Sequence, residues 1–319
     1  MIRAIDHFKI NHQLVLDFEL CENSVVIRVN DAWNITQVIL EKHKREATHI
    51  LHVSIQESYG RKWCMSGNSD LLAKVITRNI AFNRIVFKGL PGEHAWRFIH
   101  RAKLNRLPVN GMQGVTDPAL SKCRRCHSDE ETLTHVLQCC KPCESLVIER
   151  HDACLSLVRS YLDSPDLLIS VNEQVPFIRG TDTVATSRPD LYIEDSLHRW
   201  IFIADMKCPL DFQHLIDRAD EDNQEKYAEL AARVRTLKPG YIVSVRTIIV
   251  CSLGSVPPLT YKSLTDIGIS PDKIDELLQQ MVISNIRHSA RIWTHHQSGV
   301  LVDLNDDSEI PIRVIRGRD

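Results

Sequence analysis

Apolar positions recur along this chain with two periods. Residues 14–20 and 25–29 are rich in Leu, Val, Ile and Phe around a turn at 21–24, and they predict two strands. Residues 31–44 fit a short helix. From Leu71 the spacing becomes helical, with Leu71, Leu72, Val75, Ile76 and Ile80 on one side. A second helical stretch covers 94–104 and stops before Pro108. Beyond residue 145, helical and β patterns alternate. Residues 146–162 predict a helix. Residues 191–193 and 200–204 predict a hairpin with a polar loop. A helix then runs through Leu215, Tyr227, Leu230 and Val234 to the stop Lys238-Pro239-Gly240. Residues 241–251 predict a buried strand. Ser270-Pro271 opens a last helix, Ser as cap and Pro at its first position, and that helix ends near Gly299. The fold class expected is α/β: a mixed, mainly helical N-terminal region, then a small mixed sheet flanked by helices.

Composition adds limits to this picture. A chain of 319 residues suggests about two domains. Hydrophobic residues at 43% and charged residues at 25% argue against wholesale disorder. No apolar run approaches the ~20 residues of a membrane helix. The first residues are not a secretory signal, because Asp6, His7 and Lys9 interrupt any apolar core. An intracellular, non-secreted protein is therefore expected. Lys+Arg 39 against Asp+Glu 41 excludes a uniformly basic coat. The balance is nevertheless uneven. Residues 61–106 hold ten Lys or Arg, with only Asp70 and Glu93 opposing them, a local charge of 10 − 2 = +8. Helices there would present a basic face to a polyanion.

Five of the ten cysteines, Cys123, Cys126, Cys139, Cys140 and Cys143, fall within residues 123–143. Cys123 and Cys126 have the Cys-x2-Cys spacing that lets one tight turn aim two thiolates at one ion. His135 follows, then Cys139 and Cys140. Two thiolates, an imidazole and a third thiolate make a closed tetrahedral set suited to structural Zn²⁺. An α-helix over 131–137 would place His135 and Cys139 one turn apart on one face, whereas Cys140 is the other candidate for the fourth ligand. His127 adjoins Cys126 and would strain the turn. Arg124 and Arg125, at the turn tip, are expected to reach phosphates.

A second constellation lies downstream. Asp190 follows Arg188-Pro189, and fourteen residues separate it from Asp205 of Asp205-Met206-Lys207. In a hairpin the two aspartates sit at neighbouring strand ends, and alternation puts Asp205 and Lys207 on one face. Two carboxylates can bind Mg²⁺, with Lys207 assisting an attacking water or the developing phosphate charge. This is the Pro-Asp…Asp/Glu-x-Lys arrangement of metal-dependent nucleases. Glu173 is a candidate for a further carboxylate. Mutual repulsion of the carboxylates is expected to raise one pKa.

In this order the motifs resemble the C-terminal portion of site-specific non-LTR retrotransposon proteins, those that cut their target with a restriction-like endonuclease. The resemblance spans roughly residues 70–250. It rests on Cys123-x2-Cys126-x8-His135-x4-Cys140, Arg150-His151-Asp152, Arg188-Pro189-Asp190, Asp205-Met206-Lys207-Cys208-Pro209 and Glu225-Lys226-Tyr227. It implies Cys140 as fourth zinc ligand and a PD-(D/E)xK-like core. It also implies Mg²⁺-dependent nicking of DNA, with Asp190 and Asp205 on the metal and Lys226 and Tyr227 beside Lys207. The catalytic lysine is either Lys207 or Lys226. DNA, element RNA and a nuclear location are further implications. Such proteins carry a reverse-transcriptase centre with a Tyr/Phe-x-Asp-Asp motif, and this sequence has none. The expected organisation is an N-terminal segment (1–60), a basic helical linker (61–122), a zinc knuckle (123–145), an endonuclease-like domain (146–299) and a tail (300–319). The alternative is a non-catalytic nucleic-acid-binding remnant that uses only the knuckle and the basic face.

Overall fold

The computed structural model describes residues 15–21, 24–30, 36–40, 92–111, 117–162, 165–299 and 301. The chain divides into two units, Met1–Asp70 and Leu71–Asp319.

In the first unit, β1 (Val15–Cys21), β2 (Ser24–Asn30) and β3 (Thr36–Leu40) form an antiparallel sheet in that order. The first two are the expected hairpin. The third replaces the helix expected over 31–44. Its β-branched Thr36, Val38 and Ile39 suit a strand, and the open edge of β2 supplies backbone partners for all five residues.

The second unit begins with α1 (Glu93–Lys103). Ala95, Phe98, Ile99 and Ala102 face inward at helical spacing, while Arg97 and Arg101 are exposed one turn apart. Lys103 departs from the expected basic face, because it is buried. Burial lowers its pKa to about 7, against the opposing pull of Asp211 and Cys251. The remainder of the predicted basic helices, 61–91, lies outside the described residues.

Next come the cysteine-rich turn, α2 (Glu144–Tyr161), β4 (Leu167–Val171), β5 (Leu191–Asp195), β6 (Trp200–Lys207), α3 (Gln213–Leu237), β7 (Ile242–Ile249), α4 (Pro258–Asp266) and α5 (Pro271–Ser298). The sheet order is β4-β5-β6-β7. The first two pairings are antiparallel, and β6 with β7 is parallel, which α3 makes possible as the crossover. The expected mixed sheet flanked by helices is therefore present.

Central β6 is buried from Ile201 to Met206, as a strand covered on both faces must be. Its residues sort by parity. Ile201 and Ile203 pack with Tyr192, Val243 and Val245 against Tyr227, Leu230 and Val234 of α3. Phe202, Ala204 and Met206 turn the other way, into a larger core with Leu155 of α2 and Met281 and Ile286 of α5. Phe98 of α1 and Cys123, Val136 and Leu137 of the cysteine-rich turn lie in that same core. The linker helix, the knuckle and the α/β part are thus one packed unit. At Ser270 the N-cap position is as expected, but its hydroxyl contacts Asp272 and makes no bond to a backbone N–H of the helix. Among the described residues no helix is long and apolar enough to cross a membrane.

Candidate metal centre and carboxylate site

The cysteine-rich turn is a short hairpin-like knuckle. Cys123 N–H donates to the Asp129 carbonyl at 2.8 Å, and Glu131 N–H to Ser121 at 2.8 Å. The chain then enters a π-helical turn, His135–Cys139. Its signature is Cys140 N–H donating to the His135 carbonyl at 2.8 Å, a five-residue step. In an α-helix the residue one turn beyond His135 would be Cys139. The wider turn brings Cys140 round instead. Cys140 is buried and Cys139 is exposed, so the α-helical expectation is corrected.

The ligand atoms of Cys123, Cys126, His135 and Cys140 lie within 4.8 Å of one another. The Cys123 and Cys140 sulfurs are 3.8 Å apart, and His135 Nε2 is 3.3 Å from Cys126 Sγ. Sulfurs ~2.3 Å from a tetrahedral ion stand ~3.8 Å from each other. This cluster could bind a metal such as zinc. Electrostatics already separates the thiols. Burial raises the Cys126 pKa, but the Asp129 and Ser128 N–H groups, the Cys123 thiol and His135 outweigh it and bring it down to about 6. Burial and neighbouring thiols push Cys140 the other way. His127 is exposed, with φ 58°, outside the ligand set.

Arg124 and Arg125 do not reach outward for phosphates, as their position at the turn tip suggests. Arg125 Nε donates to the His296 carbonyl at 2.6 Å and NH2 to that of His295 at 3.4 Å, at the end of α5. The His295 carbonyl also accepts the Gly299 N–H at 2.8 Å, and a cation at this helix end meets the negative end of the helix dipole. Gly299 closes the helix at φ 77°, where a Cβ would stand 3.1 Å from the Arg125 guanidinium. Arg124 bonds Gln297 Oε1 at 2.6 Å and pairs with fully buried Glu131 at 2.7 Å. Glu131, His296 and Gln297 were not legible as parts of this centre. Two of them come from a helix far along the chain, with no local spacing to betray them.

The second site forms where β5 and β6 begin and end. Leu191 pairs with Ala204, so Asp190 and Asp205 come next on adjacent strands. Asp205 is 1% exposed and points to the α3 face. Tyr227 OH donates to its Oδ1 at 2.8 Å, Lys226 Nζ stands 3.6 Å from the same oxygen, and Lys207 contacts Oδ2. Lys207 and Lys226 flank this carboxylate from a strand and a helix. Asp190 is fixed differently. Its Oδ2 accepts the Met206 N–H at 2.6 Å and a bond from His151 Nε2 of α2 at 3.0 Å. Its carboxylate therefore caps the end of the sheet between the two faces.

The expected carboxylate repulsion is not what governs Asp205. Burial alone would raise its pKa, but Lys207, Lys226 and the Tyr227 hydroxyl outweigh it and hold it below the usual range. Burial, then Asp205, drives the Tyr227 hydroxyl upward, so it stays protonated and donating. The bond to Asp190 raises His151 to about 9, against burial and with help from Asp152. Sequence reasoning missed this role of His151, although the Arg150-His151-Asp152 stretch stood out. Glu173 is exposed two residues past β4, and no hydrogen bond or ion pair joins it to either aspartate.

Among the described residues, groups of three or more close metal-type ligands occur only at the knuckle. The chain matches no protein-family model, and no curated protein matches it either.

Proposed function

We propose that this protein is a metal-dependent DNA endonuclease with a structural zinc site. The supporting observation is convergence: Lys207, Lys226 and Tyr227 meet on the buried Asp205 carboxylate, with Asp190 anchored at the next backbone N–H. These five residues come from two strand ends and a helix, in the order that the resemblance to non-LTR retrotransposon endonucleases implies.

Asp190 and Asp205 would hold Mg²⁺. The donors suit it, being hard carboxylate oxygens. Both recorded bonds to Asp190 fall on Oδ2, which leaves Oδ1 its lone pairs. When bound, such an ion polarises a phosphoryl oxygen and lowers the pKa of a water. Lys207 and Lys226, a third and a half exposed, stand ready to orient that water and to stabilise charge on the phosphate. Tyr227 holds Asp205 in place, and His151 holds Asp190. At the knuckle, three thiolates and an imidazole are the soft donors zinc prefers. DNA, and RNA of a parent element, are the partners this reading carries, in the nucleus.

The test is nicking of supercoiled plasmid by the purified protein. We expect nicking with Mg²⁺, none with excess chelator, and none from D205N. D205N cutting like wild type would overturn the reading. A second reading, a non-catalytic nucleic-acid-binding remnant, draws on the same ion pairs, because two ammonium groups already neutralise Asp205. Plasmid retention with no nicking in any divalent metal would favour it.

A further inference from the structure

The knuckle has a neighbour that its spacing does not reveal. His296, near the end of α5, is fully buried. Its Nε2 lies 3.2 Å from Cys123 Sγ and 3.9 Å from Glu131 Oε2. Cys123, Glu131 and His296 are mutually close enough to hold an ion themselves. Glu131, however, is already committed. Oε2 accepts the Arg124 N–H at 2.7 Å, Oε1 accepts the Asn110 N–H at 3.1 Å, and Arg124 Nε bonds both at 2.9 Å. That leaves the Cys123 sulfur as the partner of His296.

The tautomer follows from the other ring nitrogen. Nδ1 is buried and has no hydrogen-bond partner among the described residues. A proton there would bury an unsatisfied donor, whereas a proton on Nε2 points at sulfur. Such a donor meets a need. Three thiolates and a neutral imidazole around a divalent cation leave one net negative charge in a buried place, and buried charge requires hydrogen bonds. The residue is held from two sides, at its ring and at its backbone. Trp293 stacks on it, with centroids 6.4 Å apart and planes 21° apart, and Arg125 Nε binds the His296 carbonyl at 2.6 Å.

We infer that His296 is a positioning residue of the metal centre, donating its Nε2–H to the Cys123 thiolate and tightening the grip of Cys123, Cys126, His135 and Cys140 on a soft divalent cation. The inference rests on the zinc-site reading above. Outer partners of this kind typically govern ~10–100-fold in metal affinity.

The experiment uses the full chain, zinc competition against a chromophoric chelator, and the absorption of the Co²⁺-substituted protein. H296L removes the donor and keeps bulk, while H296Q restores an N–H. We expect H296L to lose ~10–100-fold in zinc affinity and to shift the thiolate-to-cobalt charge-transfer band. H296Q should recover most of both. Wild-type affinity and an unshifted band in H296L would overturn the inference. So would tetrahedral cobalt absorption lost alike in H296L and H296Q, since His296 would then be a ligand. Should H296L not fold, H296Q alone decides, and a loss beyond about tenfold counts against the inference. A wild-type chain that takes up neither zinc nor cobalt would overturn the zinc reading itself, and this inference with it.

Discussion

Taking a carboxylate out of water costs several kcal/mol unless donors and cations surround it. Around Asp205 they number three: Lys207, Lys226 and the Tyr227 hydroxyl. D205N should abolish nicking and bind DNA slightly more tightly, since it strips a negative charge from beside two ammonium groups. Its stability cost should fall well below the ~3–5 kcal/mol of breaking a wholly buried pair, because both lysines are exposed enough to turn to water. Gel-shift titration and urea unfolding check these two outcomes. K207A should lower the nicking rate more than K226A, because Lys207 touches Asp205 whereas Lys226 stands 3.6 Å away. The reverse ranking in single-turnover rates would pass the catalytic role to the helix. His151 carries the pH dependence. Its pKa in the folded chain, about 9, lies above the ordinary 6.5. The stability it contributes is therefore complete below about pH 6.5 and is lost as pH rises through about 9. The unfolding midpoint of H151F should trail wild type at about pH 6, and the gap should narrow towards about pH 10. A gap that widens with pH would contradict the ion pair with Asp190.

At the scale of elements, the π turn decides which cysteine joins the cluster of Cys123, Cys126 and His135. His135 and Cys140 are joined by the five-residue hydrogen bond, and Cys139 faces water. C140S should lose metal, measured by zinc content after dialysis, while C139S should keep it. Equal zinc in C140S and wild type would mean the turn is α-helical when loaded. The knuckle and α5 meet through Arg125. R125A should cost ~1.5–3 kcal/mol in urea unfolding, the worth of charged hydrogen bonds to carbonyls. It should leave nucleic-acid affinity unchanged, because the guanidinium is occupied by the helix end. A large loss of DNA binding without loss of stability would restore the phosphate role. The long helices and the central strand were legible, whereas β4 and α4 were not. Period-3.6 stripes marked α2, α3 and α5, a continuous apolar run marked β6, and Lys238-Pro239-Gly240 marked a stop. The π turn was not, because insertion of one residue into a turn leaves no change of residue type. Nor was β3, where β-branched residues meet the open edge of β2.

For the second unit as a whole, one core joins α1, the knuckle, the sheet, α2 and α5. Stripping the metal should therefore lower the thermal midpoint of the whole unit in one transition. In hydrogen exchange, amides of α2 and α5 should lose protection together with those of the knuckle. Loss confined to 123–140 would show that the knuckle folds apart. The sequence by itself determined much of the local chemistry: most of the long elements, the candidate ligand quartet up to a choice between two adjacent cysteines, and the five residues around Asp205. These depend on spacing within a turn, a hairpin or a helix, and spacing is written in the chain. Only the tertiary structure decided which partners come from afar. It brought Cys140, as the resemblance implied, and not Cys139 into the cluster, sent Arg124 and Arg125 inward to the end of α5, buried Lys103, and placed Asp190 on the Met206 N–H beside His151. It also brought His296 to Cys123 across 173 residues. Long-range contacts of this kind are selected by packing and by the need to satisfy buried polar groups, and neither leaves a period in the sequence.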